Sequence, residues 1–326
     1  MAMMNAAVVT SFAEPPHYQR FEVPRPRSAE QALVDVLAVG LHPRVRSGAA
    51  GTHYTSTGTL PMIPGIDAVG QRPDGRRVYF VAADDVIGTM ADKALADPHR
   101  SVALPGNADV AKVAAAMNPA MSSWVALRRR VPLEPGSSVL ILGATGNAGA
   151  MAVQVAKLLG AGRVVGAGRD LGRLQALTSV GADDIVQLTG DSEAAGKALA
   201  AAAADTDIVV DYLWGKPAQQ AIMALLTARS DRSRALHWIQ IGAVAGPAIE
   251  LPSVALRSAN LRLQGSGQGA VGPADYLAEM PSLIDAISDG AIAVKANTMP
   301  LADVEEAWTR EEAPGERTVL VPLAET

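Results

Sequence analysis

Cysteine is absent from the 326 residues, and that removes disulfides, thiolate zinc sites and cysteine nucleophiles together. There is no long block of like charge, and the formal charge of −5 at pH 7 has the wrong sign for a surface that must neutralise nucleic-acid phosphates, although it leaves room for a local basic pocket taking one phosphate. No apolar run reaches the roughly 18–20 residues that a membrane-spanning helix needs. The opening stretch MAMMNAAVVTSFAEPPHYQRFEVP lacks a basic leader followed by an uninterrupted apolar segment, and no internal repeat is visible. The expectation is a cytoplasmic chain with neither a membrane nor a nucleic acid as partner. What is present is a globular composition, 49% hydrophobic and 19% charged, far from the balance that keeps chains disordered. This length predicts two domains, or one large one.

The first 120 or so residues are rich in proline and glycine, with short apolar runs such as ALVDVLAVG (Ala32–Gly40), GRRVYFVA (Gly75–Ala82) and SVALP (Ser101–Pro105). They read as a mainly β domain with irregular loops. A helical pattern begins at Asp109, and strand and helix patterns then alternate through SVLIL, RVVGA, DIVQL, DIVVDYL, ALHWIQIGA and LRLQG. Six strands with crossover helices predict a doubly wound α/β sheet. The last sixty or so residues return to a mixed pattern and are expected to rejoin the first domain. The domains are thus read as 1–120 with 264–326, and 121–263.

The stretch VLILGATGNAGAMAVQVAKLLGA (Val139–Ala161) has the form of a strand, a glycine turn and a helix. Ala144, Gly146 and Gly149 fit the A-x-G-x-x-G variant of the dinucleotide fingerprint, and Thr145, Asn147 and Ala148 complete the turn. Gly146 is the position at which backbone N–H groups approach a pyrophosphate, and Gly149 the one that lets helix and strand pack closely. The next strand ends in VVGAGRD, about twenty residues past the last glycine, where an acidic residue would select a free ribose 2′-hydroxyl. Arg169 stands there instead and favours a 2′-phosphate through bidentate bonds, with Arg173 one turn on as a second charge. Asp170 is read as the N-cap of the following helix, although it is also a possible ribose ligand. The cofactor expected is NADPH.

Taken together, AVGLHPRVRSG (Ala38–Gly48), PMIPGIDAVG (Pro61–Gly70), AAAMNPAMSSWVAL (Ala114–Leu127), the fingerprint and the terminal RTVLVP resemble the medium-chain dehydrogenase/reductase superfamily, in its zinc-independent quinone oxidoreductase branch, over essentially the whole chain. The resemblance implies a GroES-like catalytic domain ahead of a Rossmann domain, and a homodimer. It also sets out what is missing: Leu41 and His42 stand where the zinc enzymes carry a cysteine, and PGID replaces their Gly-His-Glu run. His42, Asp67 and His53 have no spacing that supports a metal site, so no metal is expected. Asp67 is read as fixing a turn. The stretch LHPRVRSG is compressed relative to the branch, which usually has asparagine at the place of His42.

Without a metal, negative charge developing on an acceptor oxygen has to be met by hydrogen-bond donors. Conjugated acceptors spread that charge, so the expectation is reduction of a quinone or an α,β-unsaturated carbonyl. His42 and Tyr54 are the catalytic candidates, with Arg44 as a further polar group. Ser122 matches the hydroxyl that approaches the nicotinamide in relatives, and Gly242 and Ala243, at the carboxyl end of a strand, are placed to line its ribose. GSGQG (Gly265–Gly269) is read as a flap or an interdomain hinge, and Trp124 as core. Two alternatives stay open: an alcohol dehydrogenase or carbonyl reductase of the same superfamily, and an NADPH-binding sensor or scaffold without turnover.

Overall fold

A computed structural model describes residues 2–188 and 190–322, and the chain divides into two compact units, Met1–Pro119 with Tyr276–Thr326, and Ala120–Asp275. In the first unit β1 (Met3–Val8) pairs antiparallel with β2 (His17–Glu22). Then follow β3 (Ala32–Gly40), α1 (Pro43–Ala49), β4 (Asp67–Gln71), β5 (Arg77–Val81), β6 (Lys93–Ala96) and β7 (Ser101–Ala103). In β3 the residues Val34 and Val36 are buried while Asp35 between them is exposed, the alternation of a strand with one face on a core. That core also takes Ile63, Phe80 and Met90.

The segment 43–49, inside the region read as mainly β with irregular loops, is helical. Pro43 sits in the first turn of α1, where its fixed φ and missing N–H are no cost, and Val45 and Ala49, one turn apart, are both buried. Asp67 is likewise no turn residue: it opens β4, opposite Val81 of β5, and is fully buried.

The long helix α2 (Val110–Val125) starts after Asp109, whose carboxylate accepts from the backbone N–H of Ala111 and Lys112. The second unit continues with β8 (Ser138–Leu142), α3 (Asn147–Leu158), β9 (Arg163–Gly168), α4 (Leu171–Leu177), β10 (Asp184–Gln187), α5 (Ser192–Ala203), β11 (Ile208–Asp211), α6 (Gly215–Ala228), β12 (Leu236–Gln240), α7 (Ser253–Arg257) and β13 (Leu261–Gly265). All six strands are parallel, in the order β10-β9-β8-β11-β12-β13. This is the doubly wound order of a Rossmann sheet, with the reversal between β8 and β11. Leu140, Val165, Val209 and Trp238 of the strands pack with Leu199 of α5 and with Ile222 and Leu225 of α6.

The chain returns to the first unit through α8 (Pro273–Ser288), β14 (Lys295–Pro300), α9 (Val304–Thr309) and β15 (Glu316–Val321). There β15 joins β3, completing a seven-stranded sheet in the order β14-β15-β3-β4-β5-β7, with β6 also paired to β3. The expected boundary at 263/264 cuts through β13, which is hydrogen-bonded to β12 from Leu261 to Gly265. The second unit therefore keeps β13 and GSGQG, and ends at Asp275.

Candidate functional site

The glycine turn follows directly from β8. Gly143 has φ +85°, a left-handed conformation suited to glycine, and the N–H groups of Gly143 and Ala144 both donate to the Ala167 carbonyl at 2.9 Å, tying the turn to the end of β9. A Cβ on Gly149 would lie 2.3 Å from the Gly143 carbonyl oxygen and 2.7 Å from Ala144 Cα. Glycine is what lets α3 start so close to the strand. At Gly146, by contrast, a Cβ would meet only the Gly143 oxygen, at an ordinary 3.6 Å. Gly146 is also the N-cap of this 12-residue helix and provides no side-chain cap, so no capping side chain stands at the position where the Cβ would be accommodated. That combination suits an anion at the positive end of the helix dipole. Thr145, Asn147 and Ala148 complete the same turn. Gly168, at the end of β9, belongs here too: a Cβ on it would lie 2.5 Å from Thr145 Cγ2. Its signal in the sequence is the second glycine of VVGAGRD.

Immediately after it, Arg169 and Asp170 are exposed. Asp170 caps α4, its Oδ1 accepting from the Arg173 backbone N–H at 2.9 Å, and its Oδ2 lies 3.7 Å from Arg173 Nε. Asp170 and Arg173 are thus engaged with each other. Arg169 offers its carbonyl to Gln187 Nε2 at 3.0 Å, while its guanidinium makes no ion pair among the described residues.

At the carboxyl end of β11 the hydroxyls of Ser122 and Tyr212 lie 2.9 Å apart. Burial pushes the Tyr212 phenol up to about 12, so it stays protonated. Tyr212 escaped sequence reasoning, although it directly follows a strand at the edge where open α/β sheets bind ligands. Its neighbour Asp211 accepts from the N–H groups of Leu213 and Trp214 and from Trp238 Nε1. Burial raises the pKa of this carboxyl. Those bonds hold Trp214 at φ +51°, which a non-glycine residue rarely adopts, and so fix the start of α6. Gly242, just past β12, donates its N–H to the Asp211 carbonyl, and a Cβ on it would lie 2.7 Å from the Tyr212 backbone carbonyl oxygen. Ala243 beside it is exposed. Trp124 is buried.

In the first unit, the two residues expected to face an acceptor sit in opposite environments. His42 is buried, with Nε2 3.1 Å from Asp67 Oδ1, and the Tyr79 hydroxyl donates to Asp67 Oδ2 at 2.9 Å. Tyr54 is 71% exposed on the loop after α1, its ring against His53 with centroids 4.2 Å apart. Arg44 donates to Thr55 Oγ1 at 2.6 Å and lies 3.5 Å from Asp85. Burial, then the nearby Arg44 charge, lowers the His53 imidazole to about 4. Among the described residues no group of three His, Asp or Glu side chains gathers as a metal site would require, and no helix is long and apolar enough to cross a membrane.

No family model matches the chain. Over 98% of its length, and all of the other protein's, it is 30% identical to a protein of Emericella nidulans named a probable NADPH-dependent quinone reductase, tdiC. It is 36% identical to the quinone oxidoreductase of Lama guanicoe over 41% of this chain and 43% of that one. Among solved structures, a probable oxidoreductase from Mycobacterium abscessus superposes with a TM-score of 0.78 at 26% identity, covering 98% of this chain and 99% of that one. The chain belongs to the medium-chain dehydrogenase/reductase superfamily, in its quinone oxidoreductase branch.

Proposed function

We propose that this chain is an NADPH-dependent, metal-independent oxidoreductase that reduces a quinone or an α,β-unsaturated carbonyl. The observation that carries the reading is the β8–α3 turn, open at Gly146 and closed at Gly149, a shape that fits a pyrophosphate. Thr145, Gly146, Asn147 and Ala148 hold the phosphates, with Ala144 and Gly149 supporting the turn. Arg169 takes the 2′-phosphate with Arg173 behind it, since Asp170 serves as the α4 cap. Ser122, Gly242 and Ala243 serve the nicotinamide end. When bound, the dinucleotide supplies a hydride. The chain's own part is to orient it and to meet negative charge on the acceptor oxygen with positioned donors. A site built from such donors suits conjugated acceptors, and the name of the full-length Emericella nidulans relative points to the same substrate class.

The reading includes a homodimer in the cytoplasm, the assembly being the common one in this branch. Light scattering at micromolar concentration checks the assembly. The function itself is tested by following NADPH oxidation by chelator-treated protein against quinones, enones and simple aldehydes. Turnover of the conjugated acceptors over the aldehydes is expected, and turnover of aldehydes alone would overturn the substrate class.

A further inference from the structure

We infer that His42 donates a proton to the acceptor oxygen from Nδ1, and that Asp67, held in place by Tyr79, is the positioning residue that decides which ring nitrogen does so. The inference rests on the reductase reading above and adds the atom that moves the proton.

The side chain of His42 is 3% exposed and that of Asp67 1%. Tyr79 donates to Asp67 Oδ2. Burial, then the Asp67 charge and the bond to it, push the phenol well above its ordinary range, so it remains a donor. A carboxylate has only acceptors to offer. His42 Nε2, facing Oδ1, is therefore the nitrogen that carries hydrogen in the neutral ring. Nδ1 is left over, buried and with no hydrogen-bond partner among the described residues. Unpaired buried polar atoms are rare because each forfeits its hydration, and in a native protein one asks for an explanation. In the doubly protonated ring this Nδ1 becomes an N–H donor with no protein acceptor, which is the property a general acid requires.

The charged and polar groups on the neighbouring elements have other partners. Asp67 lies on β4, where Thr89 donates to its carbonyl at 3.0 Å, and Tyr79 lies on β5. From β15, buried Arg317 donates to the Leu41 carbonyl at 3.0 Å and is met by Glu312 at 3.3 Å. Along α1, Arg44 is matched by Asp85, and Arg46 packs over the Trp308 ring. Of these groups, the one that faces the imidazole with a hydrogen bond is Asp67.

Hydride reduction leaves a quinone as its hydroquinone monoanion. The Nδ1–H bond then breaks and an O–H bond forms on that oxygen. His42 is left neutral and takes its next proton from solvent, so two electrons and two protons account for the hydroquinone.

Two readouts on the full chain test this. Long-range proton–nitrogen NMR across pH resolves the imidazoles of the five histidines, with His42→Asn assigning the signal. Neutral His42 is expected to carry its proton on Nε2. In Asp67→Asn the amide nitrogen donates to Nε2 and moves that proton to Nδ1. With 1,4-benzoquinone and NADPH, His42→Asn is expected to lower kcat about 100-fold, the low end for a general acid, with the alkaline fall in rate lost and KM for NADPH changed by less than about twofold. Asp67→Asn flattens the same profile, whereas Tyr79→Phe leaves Asp67 an acceptor and so keeps the proton on Nε2, lowering the rate by less through looser positioning of the carboxylate. A Nδ1-protonated neutral ring in the wild type overturns the inference and leaves the reductase reading standing. So does His42→Asn with wild-type rate and profile. A wild type that reduces no acceptor overturns both.

Discussion

Gly146 and Gly149 stand one helical turn apart and answer to different demands. At Gly149 a methyl group would enter the Gly143 carbonyl and the Ala144 backbone, so Gly149→Ala is expected to lower stability by about 1–3 kcal/mol or more, as overpacking does. Denaturant unfolding measures it. At Gly146 the same methyl meets no protein atom closer than 3.6 Å, so Gly146→Ala is expected to unfold at the wild-type midpoint while binding NADPH weakly. A single titration of fluorescence against NADPH separates the two. Arg169 is the third test at this scale. A hydrogen bond to a charged group contributes about 1.5–3 kcal/mol, so Arg169→Ala is expected to lower kcat/KM for NADPH by about tenfold or more while leaving NADH nearly unchanged. An equal loss with both cofactors would remove Arg169 from the 2′-phosphate.

Elements carry the next set of consequences. Asp170 caps α4 through a single side-chain bond, so Asp170→Ala is expected to cost about 0.5–2 kcal/mol without reversing cofactor preference, which steady-state kinetics with both cofactors checks. The loop between α1 and β4 carries a pH response. His53 Nδ1 accepts from the Thr55 N–H at 3.2 Å, and its imidazole is lowered from 6.5 to about 4. Between those values the unfolded chain binds the proton more readily than the folded one, so this contribution is complete above about pH 6.5 and is lost as pH falls toward 4. His53→Gln is expected to flatten the decline of Tm over that window relative to wild type, and parallel declines would contradict it. The α1 helix was hidden in the sequence because seven residues give little periodicity, yet Pro43 at its first turn was a legible signal.

For the molecule as a whole, what could be read from the sequence was what local pattern encodes. The alternation from SVLIL to LRLQG became a six-stranded parallel sheet, and the glycine spacing marked the turn because each glycine answers to its immediate neighbours. What strand pairing creates was not legible in the residues alone. Whether LRLQG closes the second unit or opens the return depends on its ladder with β12, which no residue of the strand announces. His42, Asp67 and Tyr79 are separated by 25 and 12 positions, and only the β4–β5 register and the start of α1 make them one cluster. What matters most at this scale is whether a metal-free site in this chain drives reduction of a conjugated acceptor by NADPH. The most direct test is kcat/KM for 1,4-benzoquinone on chelator-treated protein, with NADPH and NADH side by side. Full activity after chelation and a preference for NADPH of about tenfold or more are predicted, whereas NADPH binding without reduction, or activity restored only by added metal, would contradict it.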